Sequence, residues 1–118
     1  MLNLVLPWPP TVNTYYRNVN GKTLISEKGR QYRAAVADQV LIQRGAKQFA
    51  GRLAVAIVAH VPDQRRRDLD NLLKAPLDAL THAGAWEDDS QISDLRIMWG
   101  KPSRPGHLEI TITQMDKK

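Results

Sequence analysis

The alternation of apolar and polar residues predicts four β-strands in this chain. The clearest is segment 53–61, where apolar residues occupy both faces, so we expect a central strand covered on both sides. A shorter strand is predicted over 2–6, and it ends at Pro7 because proline has no amide hydrogen to donate. Segments 92–99 and 108–113 complete the set, and we expect them to pair as a hairpin. The residues expected on the inner face of segment 92–99 are Leu95, Ile97 and Trp99.

Between the first two strands, the sequence predicts a short hairpin followed by a helix. Segment 15–25 contains Asn20-Gly21, a dipeptide preferred in two-residue hairpin turns. Ser26 is suited to cap a helix N-terminus, and an acidic residue follows it in the first turn. The apolar spacing then predicts a helix to about residue 44, with Gly45 as its stop.

A second helix is indicated in the middle of the chain by apolar residues at helical spacing, namely Leu69, Leu72, Leu73, Leu77 and Leu80. Pro76 interrupts this pattern, because proline inside a helix removes a backbone hydrogen bond and clashes with the preceding turn. Either the helix kinks at Pro76, or its regular part begins only near Lys74 and places the proline in the first turn. Gly84 marks the far end.

These elements predict a single domain over residues 1–118. The expected class is mixed α+β, with a small mixed four-stranded sheet, a short N-terminal hairpin and two main helices. The hydrophobic fraction of 42% fits an ordinary globular protein. No apolar run reaches the length of a membrane span, so we expect no membrane contact and a cytoplasmic location. The last residues, 116–118, are expected to be frayed.

Charge is unevenly distributed along the chain, which has a net charge of +5. The lysines and arginines are spread through the protein, whereas the acidic residues concentrate in the middle. A basic body with an acidic centre suits a nuclease, in which cations hold the DNA backbone and carboxylates hold a metal ion. A merely basic globular domain explains the charge alone equally well.

The residues available as metal ligands favour oxygen donors. Cysteine is absent, so disulfides and thiolate zinc sites are excluded. The three histidines, His60, His82 and His107, are scattered without ligand spacing. We therefore expect oxygen ligands and magnesium, with manganese as a substitute, rather than zinc.

Two aspartates at the start of the second helix can share a cation. Asp68 and Asp70 point to one side if the chain is extended there. Either Asp88 or Asp89, returned by the helix and its following loop, can supply a third carboxylate. Lys74 follows Asp70 by four residues. If the helix has begun at Asp70, the two share a face, and Lys74 can approach the negative charge that develops on the phosphate in the transition state. The alternatives are simple helix capping by the aspartates and an ordinary surface ion pair for the lysine.

Basic and aromatic residues supply candidate DNA contacts in two places. The run Arg65-Arg66-Arg67 adjoins the aspartates, and arginine is suited to phosphate. On the hairpin, Tyr15, Tyr16 and Arg17 can stack on bases and bind phosphates. The tyrosines can equally cover the edge of a core, and we expect this of at least one of them.

The central stretch closely resembles RusA-type Holliday junction resolvases. The resemblance rests on PDQRRRDLDNLLKAPLDAL followed by GAWEDDSQI, on the opening LPWPPTVNTYYR and on the closing GHLEITI, so it covers nearly the whole chain. The run RRRDLDNLLKA with a downstream Trp-x-Asp-Asp is far more specific than a lone Asp-x-Asp. Pro76 departs from the alanine-like residue expected at that place in the family.

The resemblance implies a small mixed α/β homodimer that binds four-way DNA junctions and nicks two strands with magnesium. It maps the family's catalytic carboxylates onto Asp68, Asp70 and Asp89, and the essential lysine onto Lys74. Asp88 adjoins the third carboxylate and can substitute for it or support it. Two rival classes remain open, a junction-binding protein without catalysis and a nucleotide phosphohydrolase.

A dimer also follows from the symmetry of a four-way junction, which needs two matched nicks from chains with one active site each. The sequence has apolar residues to spare for a dimer contact in its three tryptophans, Trp8, Trp86 and Trp99. The alternative is that all three tryptophans fill the core of the monomer.

Overall fold

The computed structural model describes residues 1–115, so the expectation about 116–118 lies outside the described residues. The helices are α1 (Val12–Tyr15), α2 (Glu27–Ile42) and α3 (Lys74–Ala83), with 3₁₀ turns at Leu69–Leu72 and Asp89–Gln91. The strands are β1 (Leu2–Pro7), β2 (Tyr16–Val19), β3 (Lys22–Ile25), β4 (Leu53–His60), β5 (Ile92–Trp99) and β6 (His107–Gln114).

The strands form one four-stranded mixed sheet and a separate two-stranded hairpin, which confirms the predicted fold class. The sheet order is β1-β6-β4-β5. β6 runs antiparallel to both β1 and β4, whereas β5 runs parallel to β4. The expected hairpin between β5 and β6 is therefore wrong. Strand β4 lies between them: it pairs with β5 along one edge and with β6 along the other, so β5 and β6 do not pair with each other.

The main core lies between one face of the sheet and the two long helices. Strands β1, β4 and β6 turn alternate residues to this face, among them Leu4, Ile57 and Ile110, each 1% exposed. Helices α2 and α3 contribute Val36, Val40, Ala75, Ala79 and Leu80 to the same cluster. The burial pattern along β4 alternates strictly, and Ala56 on its second face is exposed. The expectation that β4 is covered on both sides is thus wrong for this chain, since both helices pack on one face.

In the N-terminal half, the predicted hairpin turn and the predicted helix cap are found at the expected residues. Asn20 and Gly21 have φ values of 51° and 78°, as a two-residue hairpin turn requires. Ser26 caps α2 by accepting a hydrogen bond from the Gly29 amide at 3.0 Å. The helix ends two residues before the expected position, and Arg44, with φ 57°, takes the left-handed conformation in place of Gly45.

On β5, the expected inner face is only partly covered. Leu95 and Trp99 are each 41% exposed, and Met98 on the opposite face is 61% exposed. Trp86 is buried and Trp8 is partly buried, but Trp99 is exposed, so the alternative in which all three tryptophans fill the core is wrong. Within residues 1–115, no helix has both the length and the apolar character to cross a membrane.

Candidate active site

The stretch that leaves β4 becomes a 3₁₀ turn before α3 begins. Asp68 has extended backbone angles, but Asp70 lies in the first turn of Leu69–Leu72. Both aspartates are exposed, while Leu72 is buried and anchors the turn to the core. The expectation that both aspartates lie on one extended segment is wrong, because the extended backbone at Asp68 changes to a 3₁₀ turn before Asp70.

Helix α3 begins at Lys74 and has Pro76 as its third residue. This confirms the second of the two readings, in which the proline stands in the first turn, where its missing amide hydrogen costs nothing. Lys74 is exposed on this first turn of α3, which directly follows the 3₁₀ turn that carries Asp70. Gly84 ends the helix with φ 86°, a left-handed conformation suited to glycine.

A partly buried polar cluster fixes α3 against α2. Arg33 donates to Asp78 with a distance of 2.8 Å between Nη2 and Oδ2, and the Tyr15 hydroxyl donates to the same carboxylate oxygen. Burial raises the pKa of the Asp78 carboxyl, but the hydrogen bonds from Tyr15 and Arg33 outweigh it and hold the pKa below its usual value. Burial also raises the pKa of the Tyr15 phenol, and Asp78 raises it further. This cluster positions the helix whose first residue is Lys74.

The cluster also overturns one expected DNA contact. Tyr15 is 0% exposed, because its ring fills the core and its hydroxyl bonds to Asp78, so the hairpin does not display it. This confirms the expectation that at least one of the two tyrosines covers the core. Tyr16 is partly buried and packs edge-on against Tyr15, with 4.9 Å between ring centroids. Arg17 is exposed.

The second acidic segment is held by a capping box. Asp88 accepts hydrogen bonds from the hydroxyl and the amide of Ser90, and these hold the pKa of its carboxyl below the usual value. The Gln91 side chain accepts from the amides of Glu87 and Asp88 at 2.9 and 2.8 Å. Asp89 follows in an exposed 3₁₀ turn. Asp88 therefore supports the segment that presents Asp89.

Hydrogen bonding divides the acidic residues of segment 63–94 into two groups. The partnered ones are Asp63 with Arg65 and Arg67, Asp78 with Tyr15 and Arg33, Asp88 with Ser90, and Asp94 with Arg96. The ones whose carboxylates have no hydrogen bond or ion pair within residues 1–115 are Asp68, Asp70, Glu87 and Asp89. All three carboxylates to which the family resemblance assigned catalysis belong to this second group.

These carboxylates have the donor chemistry that magnesium takes. Their oxygens are not gathered as one three-ligand group, because the only such group among residues 1–115 consists of His60, His107 and Glu109. The expectation that the histidines are scattered is wrong for two of them. Antiparallel pairing of β4 with β6 brings His60 opposite His107. The expected pairing of β6 with β5 does not predict this proximity.

The arginine run is not uniform. Arg67 is almost covered, with 12% of its side chain exposed, and it pairs with Asp63 at 2.8 Å and lies 5.4 Å from the ring centroid of Trp8. Arg65 is 81% exposed and makes a longer contact of 3.3 Å with Asp63. Arg66 is exposed and has no hydrogen bond or ion pair within residues 1–115. Of the three arginines, Arg66 is thus open to an incoming ligand, whereas Arg67 is held by Asp63 and Trp8.

A polar cleft joins the arginines to the first aspartate. Its volume is about 470 Å³, and its lining residues are Thr11, Arg66, Arg67, Asp68, Asn71 and Leu72. The Arg65 amide donates to Asp63, and this bond, with those from Arg67 and Arg65, lowers the pKa of the Asp63 carboxyl to about 2. Asp63 is thus bonded within its own loop, whereas Asp68 lines the cleft and has no protein partner among the residues that the structure describes.

The chain matches known proteins over nearly its whole length. Residues 7–113 match the family model described as endodeoxyribonuclease RusA. The chain is 46% identical over 113 residues to the crossover junction endodeoxyribonuclease RusA of Enterobacteria phage 82, covering 96% of this chain and 94% of that protein. It is 45% identical over 116 residues to the protein of the same name from Escherichia coli K12, with the same coverage of both chains. The relative from Enterobacteria phage HK97 is 46% identical over 113 residues, covering 95% of this chain and 93% of its own.

Proposed function

The chain belongs to the RusA endodeoxyribonuclease family, and from this premise we propose that it is a magnesium-dependent endonuclease that resolves Holliday junctions. It acts as a single-domain enzyme on four-way DNA in recombination and repair, and it cuts by paired nicks. The resemblance found in the sequence is confirmed by the family match and by relatives named as crossover junction endodeoxyribonucleases.

The observation that carries this proposal is the division of the acidic residues. Four aspartates of segment 63–94 are hydrogen-bonded or ion-paired with arginine, tyrosine or serine, whereas Asp68, Asp70 and Asp89 remain exposed and without protein partners within residues 1–115. Exposed carboxylates that the fold leaves free are available to a cation, while carboxylates that hold helices together are not.

A nuclease family indicates a divalent metal cofactor, and we propose magnesium, with manganese as a substitute. Asp68, Asp70 and Asp89 would hold it, since magnesium keeps several waters and needs few carboxylates. When bound, the ion would polarise the scissile phosphate, supply hydroxide and stabilise the leaving oxygen. The donor chemistry of the three residues fits this ion, and no histidine or sulfur ligand is needed.

The basic residues around the carboxylates bind and orient the DNA. Arg66 and the largely exposed Arg65 contact backbone phosphates beside the cleft that Asp68 lines. Lys74, exposed on the first turn of α3, neutralises charge that develops on the phosphate during cleavage. Tyr16 and Arg17 on the hairpin add contacts further along the DNA. The Arg33–Asp78 ion pair keeps α3, and with it Lys74, in place.

The working form is a homodimer, because a junction has two equivalent strands to cut and each chain carries one set of carboxylates. Two sites on one junction make the second nick effectively intramolecular. We place the contact along β5, an edge strand with exposed Leu95 and Met98. We also propose a cytoplasmic location, where the DNA substrate lies.

One cleavage assay tests the proposal against its two rivals. Equal amounts of labelled four-way junction, duplex and nucleoside triphosphate are offered together, with magnesium or with a chelator. A resolvase cuts the junction first, with paired nicks, and only with magnesium. A junction-binding protein retains the junction without cutting it, and a phosphohydrolase consumes the triphosphate. The Asp70→Asn variant serves as the control for contaminating nucleases.

A further inference from the structure

Two histidines and one glutamate form a cluster on the face of the sheet opposite α2 and α3. His60, the last residue of β4, pairs directly across the ladder with His107, the first residue of β6. Their rings stack with centroids 4.4 Å apart and planes 16° apart. Glu109, two residues further along β6, projects from the same face. The cluster contains neither the candidate carboxylates nor the arginine run.

The three side chains bring their ligand atoms close together. One nitrogen from each histidine and one oxygen of Glu109 all lie within 4.8 Å of one another. His60 Nε2 lies 2.5 Å from Glu109 Oε1. Two ligands bound to one zinc ion at ~2.1 Å lie about 3 to 3.4 Å apart, so His60 Nε2 and Glu109 Oε1 need to separate by less than about 1 Å. The His107 ring, which is stacked on His60, needs to turn so that one nitrogen points at the same ion.

The surroundings of His60 prepare its ring for this role. Its Nδ1 lies 2.8 Å from the carbonyl oxygen of Lys101, and since a carbonyl only accepts, Nδ1 carries the hydrogen. Nε2 faces the Glu109 carboxylate, and a cation bound between them would use the Nε2 lone pair while Nδ1 stays held by the carbonyl, the outer-shell arrangement typical of metal-bound histidine. Gly100 lets the loop approach closely, because a Cβ there would lie 2.5 Å from the ring atom Cε1 of His60. The ring is held from behind, and 15% of the side chain is exposed.

We propose that His60, His107 and Glu109 form a binding site for a transition-metal ion of the zinc class. Imidazole nitrogen suits zinc, nickel, copper and iron, whereas magnesium takes oxygen ligands, so the two kinds of site select different ions. Glu109 is 55% exposed, which gives an ion access from solvent and leaves room for a bound water. When bound, the ion would link β4 to β6, and through His60 also to the loop at Lys101. It would thereby stabilise the end of β4, from which the chain continues to the arginine run.

Calorimetric titration of the full chain with zinc chloride tests this site. The chain is first freed of metals and then held in excess magnesium, which saturates oxygen sites. We expect saturable binding of one zinc ion per chain and a rise in melting temperature with zinc concentration. His107→Phe keeps a ring against His60 but removes the ligand nitrogen, and it should weaken zinc binding about 100-fold. Glu109→Gln should weaken it about 10-fold or more.

Two matched variants separate this site from other zinc-binding groups. His82→Ala removes the exposed histidine in the last turn of α3, and Asp89→Asn removes a proposed magnesium ligand, so both should bind zinc as the wild type does. Imidazole resonances of the wild type provide a readout that needs no variant, since zinc should shift those of His60 and His107 but leave those of His82. Absence of saturable binding in magnesium, unshifted His60 and His107 resonances, or full affinity in folded His107→Phe would each overturn the proposal.

Discussion

Asp88 and Asp89 are adjacent in the chain, yet only Asp88 has a protein partner within residues 1–115. The Asp88 carboxylate caps a 3₁₀ turn through Ser90, and the carboxylate of Asp89 is exposed and free. The sequence left both as candidates for the third carboxylate. The capping bond gives Asp88 a structural task, which supports the proposal that Asp89 is the third metal ligand.

Replacing each of these two aspartates in turn should therefore give unequal results. Asp89→Asn should lower the rate of junction cleavage about 100-fold or more, because a charged group at the reacting centre is lost. Asp88→Asn should cut at close to the wild-type rate, since asparagine caps helices about as well as aspartate. Single-turnover cleavage of a labelled junction measures both rates. Equal losses in the two variants would contradict the assignment.

Asp68→Asn and Asp70→Asn should abolish cleavage and leave junction binding intact or tighter. Each change deletes a proposed metal ligand, but it also removes a negative charge near the DNA path and so lowers repulsion. Gel-shift titrations without divalent metal measure binding, and cleavage with magnesium measures activity. A near wild-type nicking rate for Asp70→Asn would show that this carboxylate is not a ligand.

The two neighbouring arginines Arg66 and Arg67 should differ in what their loss affects. Arg66→Ala should weaken binding to all DNA and reduce the slope of log affinity against log salt by about 0.9, the value for one lost phosphate contact. Arg67→Ala should leave that slope nearly unchanged and lower the free energy of unfolding instead. Loss of its contact with Trp8 alone costs about 0.5–1 kcal/mol.

Salt titrations of binding, paired with urea unfolding of each variant, decide between these roles. A changed slope for Arg67→Ala without a change in stability would show that its ion pair with Asp63 opens to bind DNA.

The Asp78 cluster should make stability sensitive to acid. The pKa of this carboxyl is below its usual value of 3.8 in the folded chain, so the stabilisation it provides is present above that pH and is lost as the pH falls below it. Asp78→Asn should cost about 1.5–3 kcal/mol at neutral pH, because hydrogen bonds from Tyr15 and the charged Arg33 are weakened. Urea unfolding between pH 2 and 7 measures both effects. A variant with the acid dependence of the wild type would assign that dependence to other groups.

The proposed dimer should depend on β5. Met98→Glu places a charge on a side chain that is 61% exposed in one chain, so it should spare the fold but break a contact along this strand. Leu41→Glu, at a residue 78% exposed on α2, is the matched control and should leave assembly unchanged. Sedimentation equilibrium at micromolar concentration should give twice the chain mass of 13.3 kDa for the wild type and the control.

Met98→Glu should sediment as a monomer and should lose the paired character of its nicks. A wild type that stays at the mass of one chain while resolving junctions fully would exclude a stable dimer as the working form.

The sequence by itself determined the local features of this protein. Alternating apolar residues located the strands, Asn20-Gly21 set the hairpin turn, and Ser26 set the start of α2. These signals act between residues a few positions apart, so they are readable without the fold. The motif that contains Asp68, Asp70 and Asp89 is a pattern of residues along the sequence, so it too is readable without the fold, and the family it indicated is confirmed.

Tertiary structure decided the pairing of distant segments and, with it, the partners of charged groups. Placing β4 between β5 and β6 brought His60 against His107, and packing of α1 against α2 and α3 buried Tyr15 beside Asp78. The same folding paired Arg67 with Asp63 and left Asp89 without a partner in the described part of the chain. The periodicity of the sequence does not reveal these pairings. A side chain's partners depend on which distant segments pack together, and the free energy of burial that drives this packing comes from the whole core and not from single residues.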